Sequence, residues 1–370
     1  MCIRDRVVTV RFQTDAAVQI GFRIPEKVKE IFEFDPGQYL TISLTVNGNK
    51  VRRAYSICSA THESVISILV KRVEQGLVSN YLNDHIKVGD TIDVLPPNGH
   101  FKLSISKAKK HQYYFFGAGS GITPLASMIS SLLENEPQTH CYLLYGNRDE
   151  DNIIFQKKLD RLQLVYKDRF QLKYLVSQPK KVAAKGPFSF LQSPTIEWQG
   201  EIGRVNNKSI GNFLNTTTTP SVDGYFICGP GPMIEATYDG LLELGMEKDL
   251  IHREYFSAPI SSPDEVASSE ERPQISATVK ITLDNKAIEL TIDDDKNIVQ
   301  ALLDKNIEPP YSCLSGTCSS CMAKLEKGEV AMDVSIGLED DEKENGYILT
   351  CQAHPLTEEV VINYDLEKIG

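Results

Sequence analysis

From Val7 onward, short runs of β-branched and apolar residues alternate with turn residues. VVTVRF, AVQIGFRI, QYLTISLTV, VRRAYSICS, VISILVKRV and TIDVLPP each carry the pattern of a strand. Pro-Gly, Asn-Gly and Gly-Asp pairs separate them, and Asn47-Gly48 is a strong hairpin signal. Short strands at this spacing predict an antiparallel β-barrel or sandwich over residues 7–107. Met1 to Arg6 match the strand pattern poorly and read as extraneous to the fold.

The rhythm changes over residues 108–257. YYFFG, CYLLYG, QLKYLVS and GYFICG are short apolar strands, and PLASMISSLLEN and NIIFQKKLDRLQLVY have helical spacing. Strands alternating with helices predict right-handed βαβ units on a parallel sheet. The uncharged run over residues 112–133 is long enough to cross a membrane. Gly117, Gly119, Gly121 and Pro124 break its centre, so strand–loop–helix is expected instead of a span. Residues 258–274, rich in Ser, Pro and Glu with little to bury, read as a linker. Over residues 275–370, ISATVKITL and KAIELTI alternate as strands joined at Asp284-Asn285, and NIVQALLDKN reads as a helix.

Composition adds little to this. At 370 residues, 41% hydrophobic and 24% charged, the chain reads as a globular protein of two or three domains. Charge adds more. The net charge is −11, and residues 275–370 hold 19 acidic and 8 basic residues, so the whole excess lies there. That asymmetry implies a surface for a cationic protein partner and argues against nucleic acid, although solubility alone would explain it too. The N-terminus has no apolar signal segment, so a cytoplasmic location is expected.

The most specific chemistry is YSCLSGTCSSC. Cys313, Cys318 and Cys321 are spaced C-x4-C-x2-C, and Cys351 follows at a distance, which is the plant-type [2Fe–2S] pattern. Zinc sites more often show two C-x2-C pairs or Cys/His sets, a disulfide framework conflicts with the missing signal, and a thioredoxin-like pair would not need Cys313 or Cys351. GAGSGITP follows a strand and opens a helix, as a phosphate-cradling loop must, but a plain strand-to-helix turn has the same look. In RAYS, Arg53 can pair with phosphate and Tyr55 can lie against an aromatic ring, although a strand Tyr is usually core. EQGLVSNYL places Gly76 and Ser79 ahead of a helix. YFICGPGPM puts Cys228 at the carboxyl edge of the parallel sheet, where a buried structural thiol is the plainer reading.

In this order the motifs resemble the ferredoxin–NADP reductase superfamily with a C-terminal plant-type ferredoxin domain. The resemblance covers nearly the whole chain from Val7 and is nearest to oxygenase reductase components, among them the subgroup serving phenylacetyl-CoA epoxidase. It implies an FAD-binding β-barrel (7–107), an NAD(P)-binding α/β domain (108–257), a linker (258–274) and an α+β, β-grasp [2Fe–2S] domain (275–370). It implies that Arg53 binds FAD pyrophosphate, Tyr55 packs on the isoalloxazine and Ser56 hydrogen-bonds near flavin N5. Val70, Arg72, Gly76 and Ser79 match a second flavin segment. Gly117, Gly119, Gly121, Thr123 and Pro124 match the nicotinamide-nucleotide loop. Cys228, Gly229 and Pro230 match a C-G-P segment, with Cys228 an orienting group near nicotinamide C4. Glu254 matches a carboxylate at the hydride-transfer site and Phe256 an aromatic at the flavin. Cys313, Cys318, Cys321 and Cys351 become the cluster ligands.

The implied activity passes electrons from NAD(P)H through FAD and the cluster to an oxygenase docking on the acidic domain. Other acceptors (a Rieske oxygenase, a hydroxylase, a desaturase or a hybrid-cluster protein) and a non-catalytic redox sensor remain alternatives. NADPH is favoured over NADH by Arg148, with Ser177, Lys180 and Lys181 nearby, although Asp149, Glu150 and Asp151 pull the other way.

Overall fold

In a computed structural model, the described residues are 3–46, 48–106, 110–182, 195–216, 221–257, 275–293 and 295–365. The β-branched runs form β1 (Ile3–Thr14), β2 (Ala17–Arg23), β3 (Tyr39–Val46), β4 (Asn49–Ser56), β5 (Ile66–Lys71) and β6 (Thr91–Asn98). Their order is β4-β3-β6-β1-β2-β5. Just past β4, Ile57 bridges Ile68 of β5, so the two ends of this order meet and the sheet closes as a barrel. Val18, Ile20, Phe22, Leu40, Ile42, Ile68 and Val94 pack together in its core. Gly48 has φ +80°, as a tight turn between β3 and β4 requires, and Asn47 lies outside the described residues.

The expectation for the first residues is corrected. Ile3 to Arg6 belong to β1 and pair antiparallel with Val94 to Thr91 of β6. From Arg6 onward β1 turns to β2 instead. One long strand thus serves two neighbours, which leaves less of β6 as an open edge.

After α1 (Leu77–His85), the second sheet comprises β7 (Gln112–Ala118), β8 (His140–Asn147), β9 (Phe170–Val176), β12 (Glu201–Ile202), β13 (Gly224–Gly229) and β14 (Ile251–Tyr255). A small hairpin, β10 (Lys181–Val182) with β11 (Thr195–Ile196), stands apart from it. The order is β12-β9-β8-β7-β13-β14, and the pairs from β12 to β13 are parallel. The chain runs outward from β7 through β8 and β9, then returns to the other side of β7 as β13. The carboxyl ends of β7 and β13 therefore flank the topological switch point, where ligands of α/β sheets bind.

The helices here are α2 (Ile122–Asn135), α3 (Gln156–Val165), α4 (Asn207–Asn215) and α5 (Gly231–Glu243). The uncharged run is β7 and α2. Every residue from Ile122 to Leu133 is buried, because α2 packs with Phe115 and Leu143 of the sheet and also with Ala17, Cys58 and Leu69 of the barrel. Ser127 Oγ donates to the Ser59 carbonyl at 2.7 Å, and Ser131 Oγ accepts the Thr61 N–H at 3.0 Å. No helix among the described residues is long and apolar enough to cross a membrane. The expected helix from Asn152 starts four residues later, at Gln156. Asp149 caps a short 3-10 turn at Asn152, and Phe155 has φ +59°, which breaks continuity before α3.

The third sheet, β16-β15-β21-β17-β19, is mixed. It is built from β15 (Ala277–Leu283), β16 (Lys286–Ile292), β17 (Met322–Lys327), β19 (Tyr347–Leu349) and β21 (Glu359–Asn363). The pair β18 (Val330–Met332) and β20 (Ala353–Pro355) stands beside it. β15 is parallel to β21 and antiparallel to β16. Asp284 and Asn285 have φ of 51° and 57°, the left-handed pair a two-residue hairpin needs. α6 (Ile298–Asp304), capped by Asn297, buries Ile298 and Leu302 with Val279, Val360 and Ile362. α7 (Asp340–Glu344) follows the cysteine loop. The expected linker, 258–274, lies outside the described residues. Contacts group Met1–Val51 with Tyr55–Glu254 as one compact unit, and Arg52–Ala54 with Tyr255–Gly370 as a second.

Candidate functional site

β7 ends at Ala118, a single 3-10 turn spans Gly119–Gly121, and α2 begins at Ile122. Two backbones meet here. A Cβ on Gly121 would stand 2.0 Å from the Cys228 carbonyl oxygen, and one on Gly229 would stand 3.2 Å from the Ala118 nitrogen. Gly117 pairs with Cys228 across the sheet. Gly119 takes φ +55°, and its carbonyl accepts the Tyr145 hydroxyl at 2.9 Å. Thr123 Oγ1 donates to the Ser120 carbonyl at 2.6 Å, and Pro124, in the first turn of α2, needs no N–H partner. Pro230 is the N-cap of α5, and Pro232 lies in its first turn. The result is a glycine-lined cradle facing the N–H groups of a helix start, which suits a pyrophosphate.

Ser56, Cys228 and Glu254 come from β4, β13 and β14 and converge. Ser56 Oγ donates to Glu254 Oε2 at 3.3 Å, and the Cys228 thiol points to the same oxygen at 3.9 Å. Burial raises the Glu254 carboxyl to about 8, against an ordinary 4.5, with the two hydrogen bonds pulling partly back. Burial, then the Glu254 charge, pushes the Cys228 thiol well above its usual value. At neutral pH this is a protonated acid flanked by a hydroxyl and a thiol. Cys228 is no thiolate nucleophile there.

The flavin-segment residues divide. Val70 is fully buried in the barrel core, and Tyr55 packs partly buried against it. Arg53 Nη1 donates to the Arg52 carbonyl at 2.7 Å. Arg72 is committed elsewhere: it forks onto Asp84 at 2.8 and 3.1 Å. Ser79 is the third residue of α1 rather than ahead of it, and its Oγ accepts the Val73 N–H at 3.1 Å. Gly76 is the N-cap, where a Cβ would meet that Oγ at 2.5 Å. Sequence reasoning passed over Lys71. Its Nζ comes within 3.4 Å of a Cβ placed on Gly119, and burial lowers its pKa. The available signal was strand alternation, which puts Lys71 on the face opposite Val70 and Arg72.

At the end of β8, Arg148 Nε donates to Gln178 Oε1 at 3.1 Å. Lys180 pairs with Asp151, and its backbone N–H donates to Glu150. Ser177 Oγ lies 3.4 Å from the Asn147 carbonyl, and Lys181 opens β10. Phe256 follows β14 and is 43% exposed.

In the second unit the cysteine loop folds around Gly316. Gly316 has φ +69°, and a Cβ there would stand 2.6 Å from the Val334 carbonyl oxygen. The four thiols form two pairs. Cys318 donates to Cys313 at 3.0 Å, and Cys321 hydrogen-bonds Cys351. Those hydrogen bonds lower Cys313 and Cys351 and raise Cys318 and Cys321, as a proton shared within each pair does. The Ser315 N–H donates to Cys313 Sγ at 3.4 Å. Among the described residues, no three His, Cys, Asp or Glu side chains surround a single metal position, and the described cysteines are unbridged. Two thiol pairs fit a two-iron cluster, with two thiolates for each iron, better than one tetrahedral zinc.

Comparison with known proteins identifies three domain types along the chain. Family models match at residues 10–103 (oxidoreductase FAD-binding domain), 115–239 (oxidoreductase NAD-binding domain) and 281–356 (2Fe-2S iron-sulfur cluster binding domain). The chain is 34% identical to a subunit of the 1,2-phenylacetyl-CoA epoxidase of Escherichia coli K12, covering 97% of this chain and 96% of that protein. It is 30% identical to the ferredoxin reductase component of 3-ketosteroid-9-alpha-monooxygenase of Rhodococcus rhodochrous, covering 93% and 92%. The solved structure of phthalate dioxygenase reductase shares the fold, with a TM-score of 0.58 at 23% identity over 98% of each chain. The chain belongs to the ferredoxin–NADP reductase superfamily, in the branch that joins FAD- and NAD-binding domains to a C-terminal [2Fe–2S] domain and supplies reductase components to oxygenases.

Proposed function

We propose that this chain takes hydride from NADPH and delivers single electrons to the oxygenase of a phenylacetyl-CoA epoxidase system. The convergence of Ser56, Cys228 and Glu254 beside the glycine cradle carries the reading, since it forms a small polar spot at the sheet's switch point. Bound flavin would supply the conversion between two-electron and one-electron transfer. The cradle of Gly117, Gly119, Gly121, Thr123 and Pro124 holds the nucleotide, Arg53 and Tyr55 hold FAD, and Cys313, Cys318, Cys321 and Cys351 ligate the cluster. The 34% identity to the E. coli epoxidase protein over nearly the full chain favours that acceptor. The 30% identity to the ketosteroid monooxygenase component keeps a different oxygenase as the second reading. Four unbridged cysteines at a cluster site also suit a reducing compartment such as the cytoplasm.

The direct test mixes the purified chain, NADPH, phenylacetyl-CoA and the oxygenase components of an epoxidase system, and follows epoxide formation. Product dependent on the chain is expected. Brisk NADPH-driven ferricyanide reduction without epoxide would assign the chain to another acceptor. Bound FAD with no ferricyanide reduction would point to a redox sensor.

Glu254 predicts a pH limb. Its raised pKa keeps the carboxyl neutral between its ordinary 4.5 and about 8, and it ionises above that. When neutral, its Oε2 is a weaker acceptor of the Ser56 hydroxyl, so that hydrogen would be available to flavin N5. When ionised, it claims that hydrogen. The rate of hydride transfer should therefore fall as pH rises through about 8, and Glu254→Gln should remove that inflection in stopped-flow measurements. An unchanged profile in the variant would remove Glu254 from this role.

The nucleotide preference rests on Arg148. Asp151 occupies Lys180, while the Arg148 guanidinium is held through Nε by Gln178. Arg148→Leu should lower kcat/KM for NADPH by about tenfold and leave NADH nearly unchanged, as expected for loss of a charge-assisted bond to a 2′-phosphate. The acidic second unit should dock on a basic surface, so acceptor reduction should slow as salt rises from about 0.05 to about 0.5 M, concentrations over which exposed charges become screened. A salt-independent rate would count against charge-guided docking.

A further inference from the structure

Gln352, next to the fourth cysteine, makes contacts that the ligand pattern does not require. Its Nε2 lies 3.1 Å from the Leu314 carbonyl, 2.9 Å from the Cys351 carbonyl and 3.7 Å from Cys351 Sγ. Its backbone is pinned on both sides: its N–H donates to the Leu349 carbonyl at 2.9 Å, and its carbonyl accepts the Asp333 N–H at 3.2 Å. The side chain therefore leaves a fixed point and crosses from the Cys351 segment to the loop holding Cys313.

That loop has little freedom to satisfy itself. Leu314 takes φ +59°, a left-handed conformation that a γ-branched residue adopts at a cost, and its side chain is 42% exposed, so apolar burial does not offset much of it. Gln352 Nε2 donates to the carbonyl of this strained residue. Gly316 presses against the same side chain, since a Cβ there would stand 2.9 Å from Gln352 Cγ.

We propose that Gln352 is a positioning residue of the cluster site, tying the fourth-ligand segment to the first-ligand loop and donating an N–H to the Cys351 sulfur. The proposal rests on the reading of the four cysteines as cluster ligands. Reduction adds negative charge that spreads onto the sulfurs, so a donor there favours the reduced form and raises the potential.

The test is a spectroelectrochemical titration of the full chain, parent against Gln352→Met, which keeps length and removes both N–H groups. The expected result is a more negative midpoint. At a fixed poise the reduced-to-oxidised ratio should fall about threefold to tenfold, tenfold being about 59 mV for a one-electron couple. The electron paramagnetic resonance signal of the reduced cluster should shift as well. A variant holding two irons with the parent's midpoint would overturn the proposal. If Gln352→Met does not load two irons, Gln352→Lys, which keeps N–H donors, decides: a midpoint at or above the parent's supports it, and one below overturns it. A parent chain without two irons would instead sink the ligand reading itself.

Discussion

Cys318→Ala is expected to cut electron delivery to a protein acceptor at least a hundredfold while leaving NADPH-driven ferricyanide reduction within about twofold of the parent. The thiol is 8% exposed and stands 3.0 Å from Cys313, so its loss breaks one of the two pairs. A methyl group offers no electrons to iron, and one remaining thiolate does not complete that half of the site. The loop around it is tight. Gly337 donates its N–H to the Gly316 carbonyl at 2.8 Å, and a Cβ on Gly337 would stand 2.7 Å from the Cys318 carbonyl carbon. Ferricyanide takes electrons from flavin directly, and the glycine cradle, Ser56, Cys228 and Glu254 lie in the other compact unit. Iron analysis of the variant should drop below two per chain. Parallel loss of both activities would show that the substitution acts through the fold as a whole.

Gly121→Ala should raise the KM for NADPH by at least tenfold and lower the melting temperature of the first unit by several degrees. The reason is space, not dihedral angle, since Gly121 has φ −61°, which alanine adopts freely. Its Cβ would stand 2.0 Å from the Cys228 carbonyl oxygen, 2.3 Å from the carbonyl carbon and 2.7 Å from the Gly229 nitrogen. All three are backbone atoms, so relief requires moving the end of β13 away from the loop. Overpacking of this kind costs about 1–3 kcal/mol, or more where backbone must shift. The same movement displaces Cys228 from Glu254, so hydride transfer should slow as well. Gly211→Ala is the control. It lies within α4 with nothing near its Cβ, and there alanine should leave the melting temperature unchanged or raise it. Equal KM values for Gly121→Ala and the parent would remove this loop from nucleotide binding.

The chain's architecture was largely legible because it is written in local patterns. Strand periodicity predicted β2, β3 and β5 closely, and KAIELTI matches β16 residue for residue. Boundaries set by tertiary contact were not legible. Ile3 to Arg6 have no convincing strand pattern of their own and are strand because β6 needs a partner there. The start of α3 was displaced by a capped 3-10 turn and a left-handed Phe155, neither of which alters hydrophobic spacing.

The site divides in the same way. The spacing of the four cysteines by itself points to their chemistry, whereas the glycine loop and the C-G-P turn are legible in the sequence only as strand-to-helix turns, and their cofactor roles come from the family resemblance. Only the tertiary structure decided that Glu254 shares a carboxyl oxygen between Ser56 and Cys228, since these residues are 198 and 26 positions from it along the chain. It also turned Arg72 to Asp84 and Lys71 toward Gly119, and it sorted four equivalent thiols into two pairs. Residue spacing fixes what a neighbouring stretch of backbone can do. The raised Glu254 carboxyl arises from burial, and its Ser56 and Cys228 partners reach it only after the sheets have assembled.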